Sequence, residues 1–212
     1  MRNDAPILMK RPLIEAAQAG LKTQTRRIEK AQPAPDATFV GFDDAYRPTF
    51  SDGTIWPARY AGPGALLWVK EPYSFGTAPE DKEGEGVASF DWGLPNIIIC
   101  PTMDPARVSL TRTYKKRNSI HMYHWAARTF LRQAYQRIER LQTITPADAV
   151  AEGIPAPTRL MPNPNAIVID QFKALWDSIN EERGFAWKND PFVRVIVFSY
   201  EPNGVPSGTE QR

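Results

Sequence analysis

Hydrophobic positions come in short, separated bursts along this chain, and their spacing changes from one burst to the next. Ile7-Leu8-Met9 is a brief apolar run that predicts a first strand. From Arg11 to Ala19 the spacing turns helical. Pro12 suits a first helical turn, and Gly20 suits the position just past the end, where φ is positive. After the turn signal Pro63-Gly64, the run Ala65 to Glu71 predicts a strand. Weaker strand signals lie at 96–100 and 108–111. Residues 129–141 mix helical and strand signals. Their later half sets Tyr135, Arg137 and Glu139 against Gln136, Ile138 and Arg140, an alternation that favours a strand.

Thr145-Pro146-Ala147-Asp148 predicts a helix start, with Thr145 as N-cap, Pro146 in the first position and Asp148 in the third; Gly153 closes that helix. Phe172, Leu175, Trp176 and Ile179 predict a longer helix over 170–179, ended by Gly184, and Phe192 to Phe198 predicts the last strand. Residues 31–62, rich in Pro, Asp and Gly with scattered aromatics, read as an inserted hairpin or loop. Residues 76–86 read as a mobile excursion, 155–164 as a Pro-rich loop and 203–212 as a flexible tail. The order predicts an α+β fold, with a small curved or closed antiparallel sheet flanked by helices. Residues 1–202 then form a single domain with inserted loops near 31–62 and 72–118. A doubly wound parallel sheet is disfavoured, because strand–helix alternation is not sustained and no Gly-rich phosphate loop follows a strand.

Composition sharpens this in three places. At 212 residues, with 42% hydrophobic and 24% charged, the chain suits one folded domain and excludes wholesale disorder. The net charge of +2 is small, but its distribution is not even. Between Arg107 and Arg140 nine Lys or Arg face one acid, Glu139, whereas 141–190 holds seven acids against four bases, so one face can be electropositive. One cysteine and two histidines exclude an intramolecular disulfide and leave no common zinc site without carboxylates, so no metal or cofactor is expected. There is no apolar leader and no apolar run near the roughly 20 residues that span a bilayer, so a cytoplasmic protein without a membrane partner is expected.

The densest candidate chemistry is Gly20-Leu21-Lys22-Thr23-Gln24-Thr25-Arg26-Arg27, read as a tight exit from a helix that holds side chains in place yet exposed. With it come three further segments: Pro63 to Glu71; Ser119-Ile120-His121-Met122 with Trp125-Ala126-Ala127-Arg128; and Leu141 to Thr145 through Ala151-Glu152-Gly153-Ile154, followed by Phe172 to Asn180. Together these resemble ASCH domains, members of the PUA-like superfamily, in the form found in phage and prophage proteins. The first segment is similar to the family's Gly-x-Lys-Thr-x-Thr-x-Arg signature. Ala65 stands where the family usually has Asp, and Lys70 where Arg is commoner.

The resemblance implies a small PUA-like β-barrel that binds RNA or modified bases, and relatedness to amidohydrolases that remove the acyl group from N4-acetylcytidine. It implies Lys22, Thr25 and Glu152 as the catalytic set. Amide hydrolysis needs a nucleophile, a base and an acid for the leaving amine. Burial and the neighbouring cations Arg26 and Arg27 would depress the Lys22 pKa, so that its neutral amine takes the Thr25 proton while Glu152 shuttles one to the departing nitrogen. The plainer alternative is a solvated Lys22, a turn-capping Thr25 and a Glu152 on a short helix.

Arg26 and Arg27 are candidates for phosphate contact or for surface ion pairs. Trp68, Tyr73 and Trp125 are candidates for base stacking, with core packing favoured for Trp68, and His121 either donates to a ligand or is structural. The matched segments add Thr23, Lys70, Glu71, Ser119 and Arg128 as candidate binding residues. Tyr114 to Arg117 is most simply a solvated basic loop. The expected partner is a modified nucleoside, or RNA or DNA. The second reading is a non-catalytic module that binds RNA or a modified base, and a ribonuclease ranks third.

Overall fold

A computed structural model describes residues 4–60, 62–79, 81, 86–91, 97–99, 113–157 and 163–202. A five-stranded sheet organises them. In spatial order its strands are β1 (Asp4–Leu8), β5 (Leu66–Lys70), β10 (Phe130–Arg140), β11 (Phe192–Tyr200) and β2 (Gln24–Ile28). β1 and β5 run parallel; the other pairings are antiparallel. Among the described residues the row is open, with β1 and β2 at its edges, so no closed barrel forms.

Alternation along β11 divides the core. Ile196 and Phe198 pack with Ile7, Leu67, Val69 and Leu131 under α1 (Arg11–Gln18), which inserts Ile14 and Ala17. Val193 and Val195 face the other way, into a cluster with Val168, Phe172 and Trp176 of α3 (Pro164–Asn180) and Ala149 of α2 (Pro146–Ala151). The helix signals hold. Pro12 lies in the first turn of α1, and Gly20 takes φ +72° as the chain leaves it. Thr145 and Asp148 form a reciprocal capping box at the start of α2. The longer helix begins at Pro164, six residues before the hydrophobic spacing announces it.

Both inserted segments carry strands, the first as the hairpin among its two expected forms and the second including the expected strand at 96–100 as Ile97–Ile99. Residues 31–62 contain the hairpin of β3 (Phe39–Phe42) and β4 (Pro48–Phe50) and carry their own core, in which Trp56 is fully buried among Phe50, Ile138 and Phe192. The Trp56 indole donates to the Ala31 carbonyl at 2.6 Å. A second sheet, ordered β8 (Ile97–Ile99), β7 (Val87–Ser89), β6 (Tyr73–Thr77) and β9 (Thr113–Arg117), occupies much of 72–118. β9 replaces the expected basic loop at 114–117; it forms because it pairs with β6, and the Tyr114 ring covers the bare backbone of Gly76. The expected strand at 108–111 and the tail at 203–212 lie outside the described residues, as do parts of 76–86 and 155–164. No helix among the described residues is long and apolar enough to cross a membrane.

Candidate functional site

The expected helix exit is shorter than it reads: Gln24 to Arg27 belong to β2, and the run alternates exposed Leu21 and Thr23 with buried Lys22 and Gln24 before Thr25 and Arg26, also buried. Lys22, Gln24, Thr25 and Arg26 are each at most 5% exposed. A lysine tolerates this only if its ammonium is satisfied. Lys22 Nζ donates to the Gln24 carbonyl at 2.7 Å, the Glu152 carbonyl at 2.6 Å and Glu152 Oε2 at 3.0 Å, using all three of its protons. Glu152 is brought there by the end of α2, where the Thr23 amide donates to the Ala151 carbonyl and stitches the N-terminal run to that helix.

Arg26 closes the other side. Its guanidinium donates to Glu152 Oε1 at 3.1 Å and Glu139 Oε1 at 2.6 Å, and lies 3.7 Å from Asp148 Oδ2. Arg137 bridges the same two acids, at 2.8 Å to Glu139 and 2.7 Å to Asp148. Three cations thus meet three carboxylates. Burial pushes the Lys22 amine below its ordinary value of 10.5. The charge and hydrogen bond of Glu152 oppose that, and repulsion from Arg27 and Arg26 adds to it. For Asp148 burial acts upward, but the hydrogen bonds from Thr145 and Gln24 and the charge of Arg26 outweigh it and hold the carboxyl below its usual range.

Lys22, Thr25, Arg26 and Glu152 all line one cleft of about 570 Å³. That volume lies within the roughly 300–1,000 Å³ typical of small-molecule sites. Six consecutive residues, Thr25 to Lys30, contribute to the wall, which a strand can do only along an unpaired edge; β2 is such an edge. Facing it are Phe172, Leu175, Trp176 and Ile179 of α3. The Thr25 hydroxyl has no hydrogen-bond partner among the described residues, and neither Lys22 nor Glu152 bonds to it.

The remaining sequence candidates divide. Arg27 and Ser119 line the same cleft, and half-buried Arg27 donates to the Leu8 carbonyl at 2.5 Å. Tyr73 and His121 line a second cleft of about 340 Å³ with Arg117 and Tyr123. Residues 119–121 form one 3-10 turn, so that turn separates the two clefts. Tyr73 donates to the His121 carbonyl at 3.0 Å. Trp125 is half-buried and stacks on Tyr123. Trp68 is core, as favoured, with Lys70 Nζ 5.2 Å above its ring and bonded to the Ile120 carbonyl. Glu71 is fully buried and accepts from Arg128 at 2.8 and 3.0 Å and from Thr129 at 2.7 Å. Thr23 is exposed and does not line either cleft.

Glu139 and Asp148, which position Arg26, escaped sequence reasoning, as did the α3 wall and the cations Lys10, Lys30 and Arg183 on the cleft margin. A signal existed for some of them. The apolar stripe of α3 reads as core spacing, and Phe172 and Trp176 are core, yet they line the cleft together with Leu175 and Ile179. Among the described residues no group of three or more His, Cys, Asp or Glu is placed to hold a metal ion. Comparisons of the chain with protein-family models, curated proteins and solved structures find no match.

Proposed function

We propose that this chain is an ASCH-type protein of PUA-like descent that hydrolyses an exocyclic amide on a cytosine nucleoside, with N4-acetylcytidine as the type substrate. The observation that carries the reading is the meeting of Lys22 and Glu152, 130 residues apart, at 3.0 Å in a cleft that Thr25 also lines. A buried lysine whose pKa is lowered by desolvation gives up its proton more readily than a free one, and a carboxylate in contact with it can relay that proton.

In the proposed reaction the Thr25 oxygen attacks the acyl carbon as its proton passes to neutral Lys22. The tetrahedral adduct collapses with cleavage of the carbon–nitrogen bond, and the departing N4 takes a proton through Glu152. Water, deprotonated by the same relay, then attacks the acyl-threonine ester and releases the carboxylic acid and free Thr25. The products are cytidine and acetate. Arg26 and Glu139 act as positioning residues by fixing the Glu152 carboxylate.

A second reading, a non-catalytic module for RNA or a modified base, is favoured by one specific observation. Lys115, Lys116 and Arg117 stand exposed on the edge strand β9, beside the second cleft with Tyr73 and Tyr123, and no described acid pairs with them. Incubation with N4-acetylcytidine distinguishes the two. Wild-type protein is expected to release acetate and cytidine, with Thr25→Val and Glu152→Gln inactive. Absence of turnover on every N4-acylcytidine tried overturns the amidohydrolase reading.

A further inference from the structure

The main cleft is more basic than a neutral nucleoside requires. Seven cationic side chains line it against two carboxylates, Glu29 and Glu152. Both carboxylates are already committed: Glu152 to Lys22 and Arg26, and Glu29 to Arg59 at 3.0 Å and Arg194 at 3.3 Å. Four cations have no carboxylate partner among the described residues: Lys10, Arg27, Lys30 and Arg183. Among the described residues the Arg183 side chain donates to the Asn180 side chain alone, and that of Arg27 to the Leu8 carbonyl alone.

These four come from three separate parts of the chain and meet at one opening. Lys10 follows β1, Arg27 and Lys30 belong to the unpaired edge of β2 and the residues after it, and Arg183 follows α3. Arg27 Nε is buried with no hydrogen-bond partner. Burial lowers the Arg27 pKa, Tyr60 and Glu152 partly offset this, and the nearby charge of Arg183 lowers it further. Two guanidinium groups that repel each other in one cleft, neither ion-paired with a described carboxylate, gain from an anion placed beside them.

We infer that the ligand of this cleft carries a phosphate, bound between Arg27 and Arg183 with Lys10 and Lys30 beside it, while its base reaches inward toward Thr25 along Phe172 and Trp176. This rests on the proposed function only for what happens at the inner end; the phosphate site stands without it. The substrate class is therefore a nucleotide, free or within a strand, rather than a nucleoside.

Direct binding tests it without turnover. Cytidine, cytidine 5′-monophosphate, inorganic phosphate and a cytosine trinucleotide are titrated calorimetrically into the whole protein at stepped salt. The monophosphate is expected to bind at least tenfold more tightly than cytidine, with the advantage shrinking as salt rises. Arg183→Ala and Lys30→Ala, both at exposed positions, are expected to remove most of that advantage, while Lys173→Ala, exposed on α3 outside the cleft, leaves it intact.

Tighter binding of the trinucleotide than of the monophosphate assigns the phosphate to a strand, and the reverse assigns it to a free nucleotide; either supports the site. Equal affinity for cytidine and its monophosphate, or an advantage that survives Arg183→Ala with Lys30→Ala, overturns it. A phosphate-dependent affinity with no hydrolysis of N4-acetylcytidine 5′-monophosphate would retain this site and remove the amidohydrolase reading.

Discussion

Lys22 grips Glu152 at two points, donating to its main-chain carbonyl at 2.6 Å and to its carboxylate at 3.0 Å. One buried amine therefore fixes both the position and the orientation of the acid, and it does so across the join between β2 and the end of α2. The same contact serves the fold and the proposed chemistry, so loss of activity on mutating Lys22 is not diagnostic alone.

Thr25→Val separates the two roles. The Thr25 hydroxyl has no partner to lose, and valine suits a strand, so the expected stability change is under about 1 kcal/mol. Turnover of N4-acetylcytidine is expected to fall roughly ten-thousandfold or more. Lys22→Ala leaves Glu152 with a broken buried pair and is expected to cost about 3–5 kcal/mol of stability. Urea unfolding of both variants checks this. A Thr25→Val protein as damaged as Lys22→Ala would contradict the account.

Lys22 also sets a pH dependence. Burial holds its folded pKa below 10.5, so between the folded value and 10.5 the unfolded chain binds more protons than the native one. The cost of keeping the buried ammonium is complete below the folded pKa and is relieved as pH rises toward 10.5. Stability contributed by this group therefore increases with pH across that window. Unfolding free energies of wild type and Lys22→Met measured through the alkaline range should differ in slope with that sign. Parallel curves would show that Lys22 titrates as an ordinary lysine.

Glu71 and Arg128 fall in the segments that carry the family resemblance, yet they form an interior pair with side chains 0% and 2% exposed. Arg128→Ala strands a buried carboxylate and is expected to cost about 3–5 kcal/mol, with Glu71→Gln costing less. Neither should change cytidine affinity in the protein that remains folded, measured by calorimetry below the melting point. A tenfold loss of affinity without destabilisation would restore them to the binding site.

Arg194 is a further interior cation. It is fully buried in β11 and donates to Gln136 at 2.9 Å, to the Pro57 carbonyl at 2.8 Å and to Glu29 at 3.3 Å, which ties 31–62 to the main sheet. Arg194→Met is expected to lower stability by about 3 kcal/mol, and Arg194→Lys to recover only part, because one ammonium cannot span three acceptors held by a planar fork. Thermal unfolding of the pair of variants reads this directly.

What the sequence revealed follows from how each element is stabilised. α1, α2 and β10 are announced by local chemistry: Pro12 and Gly20, the Thr145–Asp148 box, and the alternation from Tyr135 to Arg140. β2 is hidden because its buried residues are Gln24, Thr25 and Arg26, of which Gln24 is held by a hydrogen bond and Arg26 by ion pairs to residues more than a hundred positions away, and hydrophobic periodicity cannot register that. β9 is hidden because all five of its residues are exposed and only its partner strand defines it. For the site, the segments that resemble a family found Lys22 and Glu152, which are in contact, and Thr25, which lines the same cleft. The same segments offered Glu71 and Arg128, which support the interior; motif membership alone does not distinguish a supporting pair from a binding one.

Among the described residues β2 is hydrogen-bonded into the sheet solely through β11, the last described strand. The run that reads as the functional centre near the start of the chain therefore has no hydrogen-bonded neighbour in the sheet until residues 192–200 exist. During synthesis Thr25 and Arg26 must wait, unpaired, for some 170 residues to follow them, so the site is among the last parts of the molecule to form. Such distant closure is slow by topology. A chain halted before β11 would expose a polar, cation-rich strand rather than a greasy one, and so would resist sticking to its neighbours on the ribosome.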